Sequence, residues 1–243
     1  MVSDDMDGNG GPTESIHMSN SDEHANTIYS EHNDFDVVKL YMDAYQQVST
    51  PGGERYPDGA EAINQRVQNG ALIVNYIGHG GERGFAHERI LNIPTIQSWT
   101  NINRLPVFMT ATCELARFDD PEFRSAGELI VMNPNGGAIA MLTTTRIVFS
   151  GSNQQLNRAF FDIALEHESL PDLTLGFIAM TTKNDPQVSP SSNKRNFSLL
   201  GDVALQMSYP EKQVFTTHVN GVDITQEVDT LRSLQQVTIE GYV

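Results

Sequence analysis

A largely parallel α/β sheet with helices on both faces is the fold class that this sequence predicts, from three observations. Four short apolar runs recur along the chain, and three of them are continuous rather than alternating, as in strands covered on both faces. The segments between them carry apolar residues at three-to-four spacing, the period of a helix with one buried stripe. Strands that alternate with helices call for crossover connections, and crossovers make neighbouring strands parallel.

In chain order, FDVVKLYM predicts a strand over residues 35–42, and the next periodic segment a helix over 59–69. ALIVNYI (71–77), PVFMTAT (106–112) and GAIAMLT (137–143) are the three continuous runs. Helices are expected over 121–132, over 152–168, where Leu156, Phe160, Ile163 and Ala164 share a face, and over 173–182. The polar, Pro/Ser-rich stretch 185–196 reads as a surface loop, and GDVALQMSYP as one more strand ended by Pro210. Beyond it, VFTTHVNGVDIT and QQVTIEGYV alternate around Asn220-Gly221, a pair suited to a tight hairpin turn. The expected division is therefore an α/β domain over 1–210, followed by the start of an all-β, sandwich-like segment over 211–243.

The net charge of −16 opposes binding to nucleic acid and to anionic membrane surfaces. Nine carboxylates fall in the first 36 residues with no Lys or Arg, so this end is expected to be a solvated or ion-binding surface. No run is long and apolar enough for a membrane span, and the first residues have neither region of a signal peptide. A single cysteine excludes an internal disulfide and a multi-cysteine zinc site, but it leaves a reactive thiol open. The histidines other than His79 show no metal spacing, so solvated or capping roles are expected for them.

In a doubly covered parallel sheet, ligands meet the carboxyl ends of the strands. ALIVNYI runs into Gly78-His79-Gly80-Gly81 and PVFMTAT into Cys113-Glu114, so a histidine and the one cysteine stand at two strand exits. The intervening length suits one crossover. Only a thiolate is a good nucleophile, and an imidazole beside it can take the proton. Small glycines let a substrate backbone approach, and the N–H groups after His79 and at Cys113 are candidates to hold an oxyanion. The plainer alternative is a small buried thiol and a structural histidine.

NYIGHGGERGF, LPVFMTATCELARFD, NPNGGAIAMLTTTR and FSLLGDVALQMSYP together resemble the gingipain-like cysteine peptidases, most closely the PorU-type C-terminal signal peptidases (sortases) of type IX secretion. The similar stretch runs over residues 2–210. The resemblance implies a caspase-like three-layer α/β/α fold, a Cys113–His79 pair and an oxyanion site at Gly80 and Cys113. It also implies an acidic third residue, at Asp4 or Asp5, whose other readings are caps or ion ligands. The chain begins where the catalytic half of such domains begins. Thr143, Thr144, Thr145 and Arg146 follow the strand after Cys113, where caspase-like peptidases line their specificity pocket, although β-branched residues also suit an ordinary strand end, and Glu114 and Arg117 read either as substrate-facing cleft charges or as a surface ion pair. Removal of a C-terminal secretion signal, with water or a surface amine resolving the acyl-enzyme, is the implied activity. Implied partners are protein substrates and outer-membrane secretion subunits, with a cell-surface or outer-membrane location. The competing expectation is a non-catalytic module of a surface secretion complex. No cofactor is required by this chemistry, although Asp5, Asp7 and Asn9 partly match a calcium loop that lacks its final glutamate, and a polar turn fits them as well.

Overall fold

The computed structural model describes residues 1–5, 15–167, 169–170, 173–210, 212, 214–226 and 230–243. The Asp7 and Asn9 positions of the calcium motif lie outside them. Residues Met1–Met207 form one compact unit and Ser208–Val243 another.

The first unit begins with β1 (Val2–Ser3), α1 (Ile16–Glu31), β2 (Leu40–Tyr41), a hairpin of β3 (Val48–Thr50) and β4 (Gly53–Arg55), and α2 (Pro57–Asn69). β5 (Ile73–Ile77) leads into a small meander of β6 (Gly80–Gly81), β7 (Gly84–Phe85) and β8 (Leu91–Asn92), followed by α3 (Ile93–Ser98). Then come β9 (Val107–Ala111), α4 (Ala126–Met132), β10 (Ala140–Thr144), α5 (Ser150–Ala164), α6 (Leu175–Asn184) and β11 (Phe197–Leu200). Six strands form one sheet in the order β11-β10-β9-β5-β1-β2, parallel throughout except for β11.

The helices divide between the two faces of this sheet. Val2, Val74, Tyr76, Phe108 and Met141 pack with Ile63 and Val67 of α2, Ile96 of α3 and Ile130 of α4. The other face meets α1 and α5, and Asn75 marks it, with its amide bonded to Asn157 of α5 at 2.9 Å.

Several elements depart from expectation for local reasons. Residues 35–42 give only the two-residue edge strand β2, because Met42 turns inward as a 3-10 turn begins. α4 starts at Ala126 rather than at 121, where Ser125 and Glu128 close a capping box. GDVALQMSYP is not a strand: the last strand of the sheet is β11, and Gly201 ends it at φ 129, a conformation other residues rarely adopt. The acidic N-terminal stretch is not simply a solvated surface. β1 lies inside the sheet, Asp4 and Asp5 are buried, and α1 turns His17, Asn20, Ser21, His24, Ala25 and Ile28 inward. Among the described residues, no helix is long and apolar enough to cross a membrane.

The second unit is a three-stranded antiparallel sheet in the order β13-β12-β14, from β12 (Phe215–Val219), β13 (Val222–Asp223) and β14 (Ile239–Tyr242). Asn220 and Gly221 turn the β12–β13 hairpin with φ of 52 and 80, as the Asn-Gly pair predicts.

Candidate active site

β5 and β9 pair in parallel from Ile73↔Val107 to Ile77↔Ala111. His79 and Cys113 each lie two residues past the last pair, so they continue one register at neighbouring strand exits. Side chains alternate along a strand. The residues that share a face with Asn75 are Ile77 and then His79, which carries the imidazole to the side covered by α1.

The two exits are fitted closely together. A Cβ on Gly80 would lie 2.5 Å from Thr112 Oγ1 and 2.9 Å from the Gly84 carbonyl oxygen, so only glycine allows the His79 loop this near the Cys113 turn. Glu82 adds a tie, pairing with Arg117 at 2.9 Å while its carbonyl accepts the Ala126 N–H at 2.7 Å. Behind the cysteine, the buried Thr144 hydroxyl donates to the Thr112 carbonyl. Glu114 then takes φ 50, and its N–H reaches the Arg146 carbonyl at 3.3 Å. Such left-handed backbone costs a non-glycine residue about 1–2 kcal/mol, strain of a kind that clusters at functional turns.

Cys113 is half-buried, and its thiol donates to the Val148 carbonyl at 3.5 Å. No hydrogen bond joins it to His79. The imidazole instead lies between two other histidines. The ring of His17, from α1, meets it edge-on at 5.1 Å between centroids, and that of His87 stacks nearly parallel at 5.3 Å. His17 is buried, so the solvated role expected for it is corrected, and its approach to His79 has no signal in the sequence.

Neither the Asp4 nor the Asp5 carboxylate is hydrogen-bonded to the imidazole. Asp4 Oδ2 accepts the backbone N–H of His79 at 2.8 Å, and the Tyr76 hydroxyl donates to the His79 carbonyl at 2.6 Å, so the loop is held by its main chain. Burial pushes the Asp4 carboxyl up to about 8; the two backbone N–H groups oppose this, and the Asp5 and Glu88 charges add to it. Asp5 Oδ2 accepts from the Tyr56 hydroxyl at 2.6 Å and from Gln47 at 3.4 Å.

The oxyanion candidates are placed as follows. Gly80 pairs with Phe85 in a register where the Ala86 N–H reaches the His79 carbonyl, so the Gly80↔Phe85 pair is the non-bonded kind and the Gly80 N–H lies outside that ladder. The Cys113 N–H likewise meets no described acceptor. Of the substrate-binding candidates, Thr144 is fully buried and holds the cysteine turn, which corrects its expected place on a pocket surface. Thr145 is half-buried, with its N–H and hydroxyl both on the Asn196 carbonyl. Arg146 is exposed and forms a two-point pair with Asp119. Glu114 is half-exposed.

The family model of peptidase family C25 matches residues 1–208. No curated protein matches the chain. Among solved structures, it is similar to the Arg-specific cysteine proteinase gingipain R (RgpB), with TM-score 0.63 and 17% identity over 88% of this chain and 49% of that one. It is also similar to the complex of Porphyromonas gingivalis RgpB pro- and mature domains, with TM-score 0.66 and 16% identity over 89% of this chain and 51% of that one. The chain thus spans about half the length of these proteins, and at such identity they show the shared caspase-like fold alone. With the family model covering nearly all of the first unit, the chain belongs to peptidase family C25, the gingipain family.

Proposed function

We propose that this chain carries the nucleophile and the base of a cysteine-type endopeptidase. The observation that supports this most is the continuation of one β5–β9 register into His79 and Cys113, with Gly80 set against Thr112 between them. The Cys113 thiol gives its proton to the His79 imidazole, and the sulfur attacks the substrate carbonyl. The N–H groups of Gly80 and Cys113 hold the resulting oxyanion. The imidazolium then returns the proton to the departing amine, leaving a thioester on Cys113. Water resolves that thioester to a free carboxylate and an amine resolves it to a new amide, and either restores the thiol. Asp4 holds the His79 main chain rather than its ring.

By resemblance, the substrates are proteins carrying a C-terminal type IX secretion signal, and the acceptor is water or a surface amine. The site of action is the cell surface or outer membrane, beside secretion-complex subunits. Arg146, Thr145 and Glu114 stand at the strand exits around Cys113, where substrate contact is proposed.

One observation favours a second reading, a non-catalytic binding module: the resting thiol is bonded to Val148 and not to His79. The experiment that separates the two is iodoacetamide alkylation of the purified protein across pH, read by intact mass. Cys113 is the only cysteine, so one adduct reports one site. Peptidase chemistry predicts alkylation well below the free-thiol range of about 8.5, and a shift up to that range in His79→Ala. Alkylation only above about pH 8 in both proteins refutes the catalytic pair.

A further inference from the structure

A histidine base works only while its ring is aimed at the proton it takes, and an imidazole has about three wells at χ1 and two at χ2 among which to turn. In a catalytic triad, a carboxylate bonded to the ring fixes that aim. Asp4 and Asp5 do not serve in this way: Asp4 accepts the His79 main-chain N–H, and Asp5 accepts from Tyr56 and Gln47. What meets the ring is two further imidazoles. His17 lies edge-on to it, at 5.1 Å between centroids and 83° between planes, and His87 nearly parallel, at 5.3 Å and 14°. Both are arrangements that aromatic pairs favour, within the roughly 4.5–7 Å over which they attract.

The placing of His87 is built into the turn between β7 and β8. Ala86 and Arg89 both take left-handed backbone, with φ of 59 and 58. Residues with a Cβ keep that conformation only where their surroundings hold them in it. The Ala86 N–H donates to the His79 carbonyl at 2.9 Å, and the Arg89 N–H to the Ala86 carbonyl at 3.3 Å. Phe85, before the turn, is buried and stacks on Tyr76 at 3.9 Å, while Ile90 and Leu91, after it, are buried too. Between these anchors Glu88 points inward, with a carboxylate oxygen within 4.8 Å of those of Asp4 and Asp5, and His87 stays exposed. Burial therefore does not account for where the His87 ring lies. The turn that is bonded to the His79 main chain also lays a ring on the His79 side chain. His17 reaches the same ring from a separate element, buried on the first turn of α1.

We propose that His17 and His87 are positioning residues for His79, holding its imidazole by an edge contact and a stack where a triad uses a carboxylate. This rests on the reading of His79 as the base. Each acts through His79, by keeping the ring in one well at the strand exit that neighbours Cys113. An aromatic ring is all that such contacts need, so phenylalanine can stand in for either histidine.

Two readouts test this, one of them free of catalysis. In Cys113→Ala protein with isotope-labelled histidine, the ring protons of His79 are expected to show nuclear Overhauser contacts with those of His17 and His87. The His79 signals are expected to shift and broaden in His87→Ala and to stay sharp in His87→Phe. On a peptide that the parent cleaves, His87→Ala is expected to lower kcat about threefold, the ring then sharing its time among about half its wells. KM and Tm stay unchanged, since the lost side chain is exposed and only the aim of the base is affected. His87→Phe is expected to bring kcat back to within about twofold of the parent. His17 is buried, so His17→Phe is measured beside His17→Ala, and whichever folds decides: the alanine lowers kcat about threefold and the phenylalanine keeps it. Folded protein without ring contacts to His79 overturns the proposal. So does His87→Phe as slow as His87→Ala, which makes a ring nitrogen and not the stack the working group, and so does a raised KM at unchanged kcat, which makes His87 a substrate contact. Absence of cleavage by the parent counts against the peptidase reading alone, and the resonance measurement then decides whether the two rings hold His79.

Discussion

Replacing Gly80 with alanine tests whether the close approach of the two strand exits is what the chemistry needs. The new Cβ would lie 2.5 Å from Thr112 Oγ1 and 2.9 Å from the Gly84 carbonyl oxygen, where ordinary contact begins at 3.4 Å. Rotating Thr112 relieves the first clash but not the second, which is with backbone. The His79 loop must therefore shift by about 0.5 Å, the shortfall of the Gly84 contact from 3.4 Å, and by about 0.9 Å where Thr112 keeps its rotamer. A displacement near 1 Å between reacting groups costs about 100-fold in rate, or roughly 2.7 kcal/mol. The assay is kcat/KM on a peptide that the parent cleaves, with the Cys113 alkylation rate and Tm measured in parallel. Gly81→Ala is the control, since a Cβ there meets nothing within 4 Å and is expected to leave all three unchanged. Adding Thr112→Ala to Gly80→Ala removes the nearer clash and is expected to recover part of the rate. Folded Gly80→Ala protein that keeps its activity within about threefold would refute the argument that the exits must touch.

Two further outcomes follow from buried polar groups. Thr144→Val removes the hydroxyl that satisfies the Thr112 carbonyl, and an unsatisfied buried carbonyl costs about 1–3 kcal/mol, so denaturant unfolding is expected to show that loss and alkylation of Cys113 to slow. Burial lowers the His24 imidazole to about 4, well below its ordinary value of 6.5. The unfolded chain therefore binds a proton that the folded one refuses, and stability is lost as pH falls from 6.5 towards 4, by about 3 kcal/mol at the lower end. His24→Leu is expected to flatten that part of the stability curve, and an unchanged pH slope in the variant rules out His24 as its source.

Much of the sheet was legible because its central strands are written in one code. ALIVNYI, PVFMTAT and GAIAMLT bury side chains on both faces, and a continuous apolar run is the direct signature of that burial. α1 carries no such signature. It buries His17, Asn20, Ser21 and His24, so its inward face is polar and no hydrophobic period marks it. β1 is two residues long among carboxylates, and what places it within the sheet is pairing with Leu40 and Tyr76, distant in the chain. The strand expected at GDVALQMSYP failed for another reason. Apolar content was right, but Gly201 had already turned the chain away.

The same division runs through the candidate site. By itself, the sequence determined the sheet's central strands, the Asn-Gly hairpin and the standing of His79 and Cys113 at strand exits, because each depends on residues close in the chain. Tertiary structure alone decided that Asp4 grips the His79 main chain, that His17 and His87 flank the imidazole, that Thr144 lies beneath the cysteine turn, and that Asp4, Asp5 and Glu88 converge. These are contacts between polar groups from separate elements. Hydrophobic patterning reports which side chains leave water; it does not say which polar partners they find once the elements have packed.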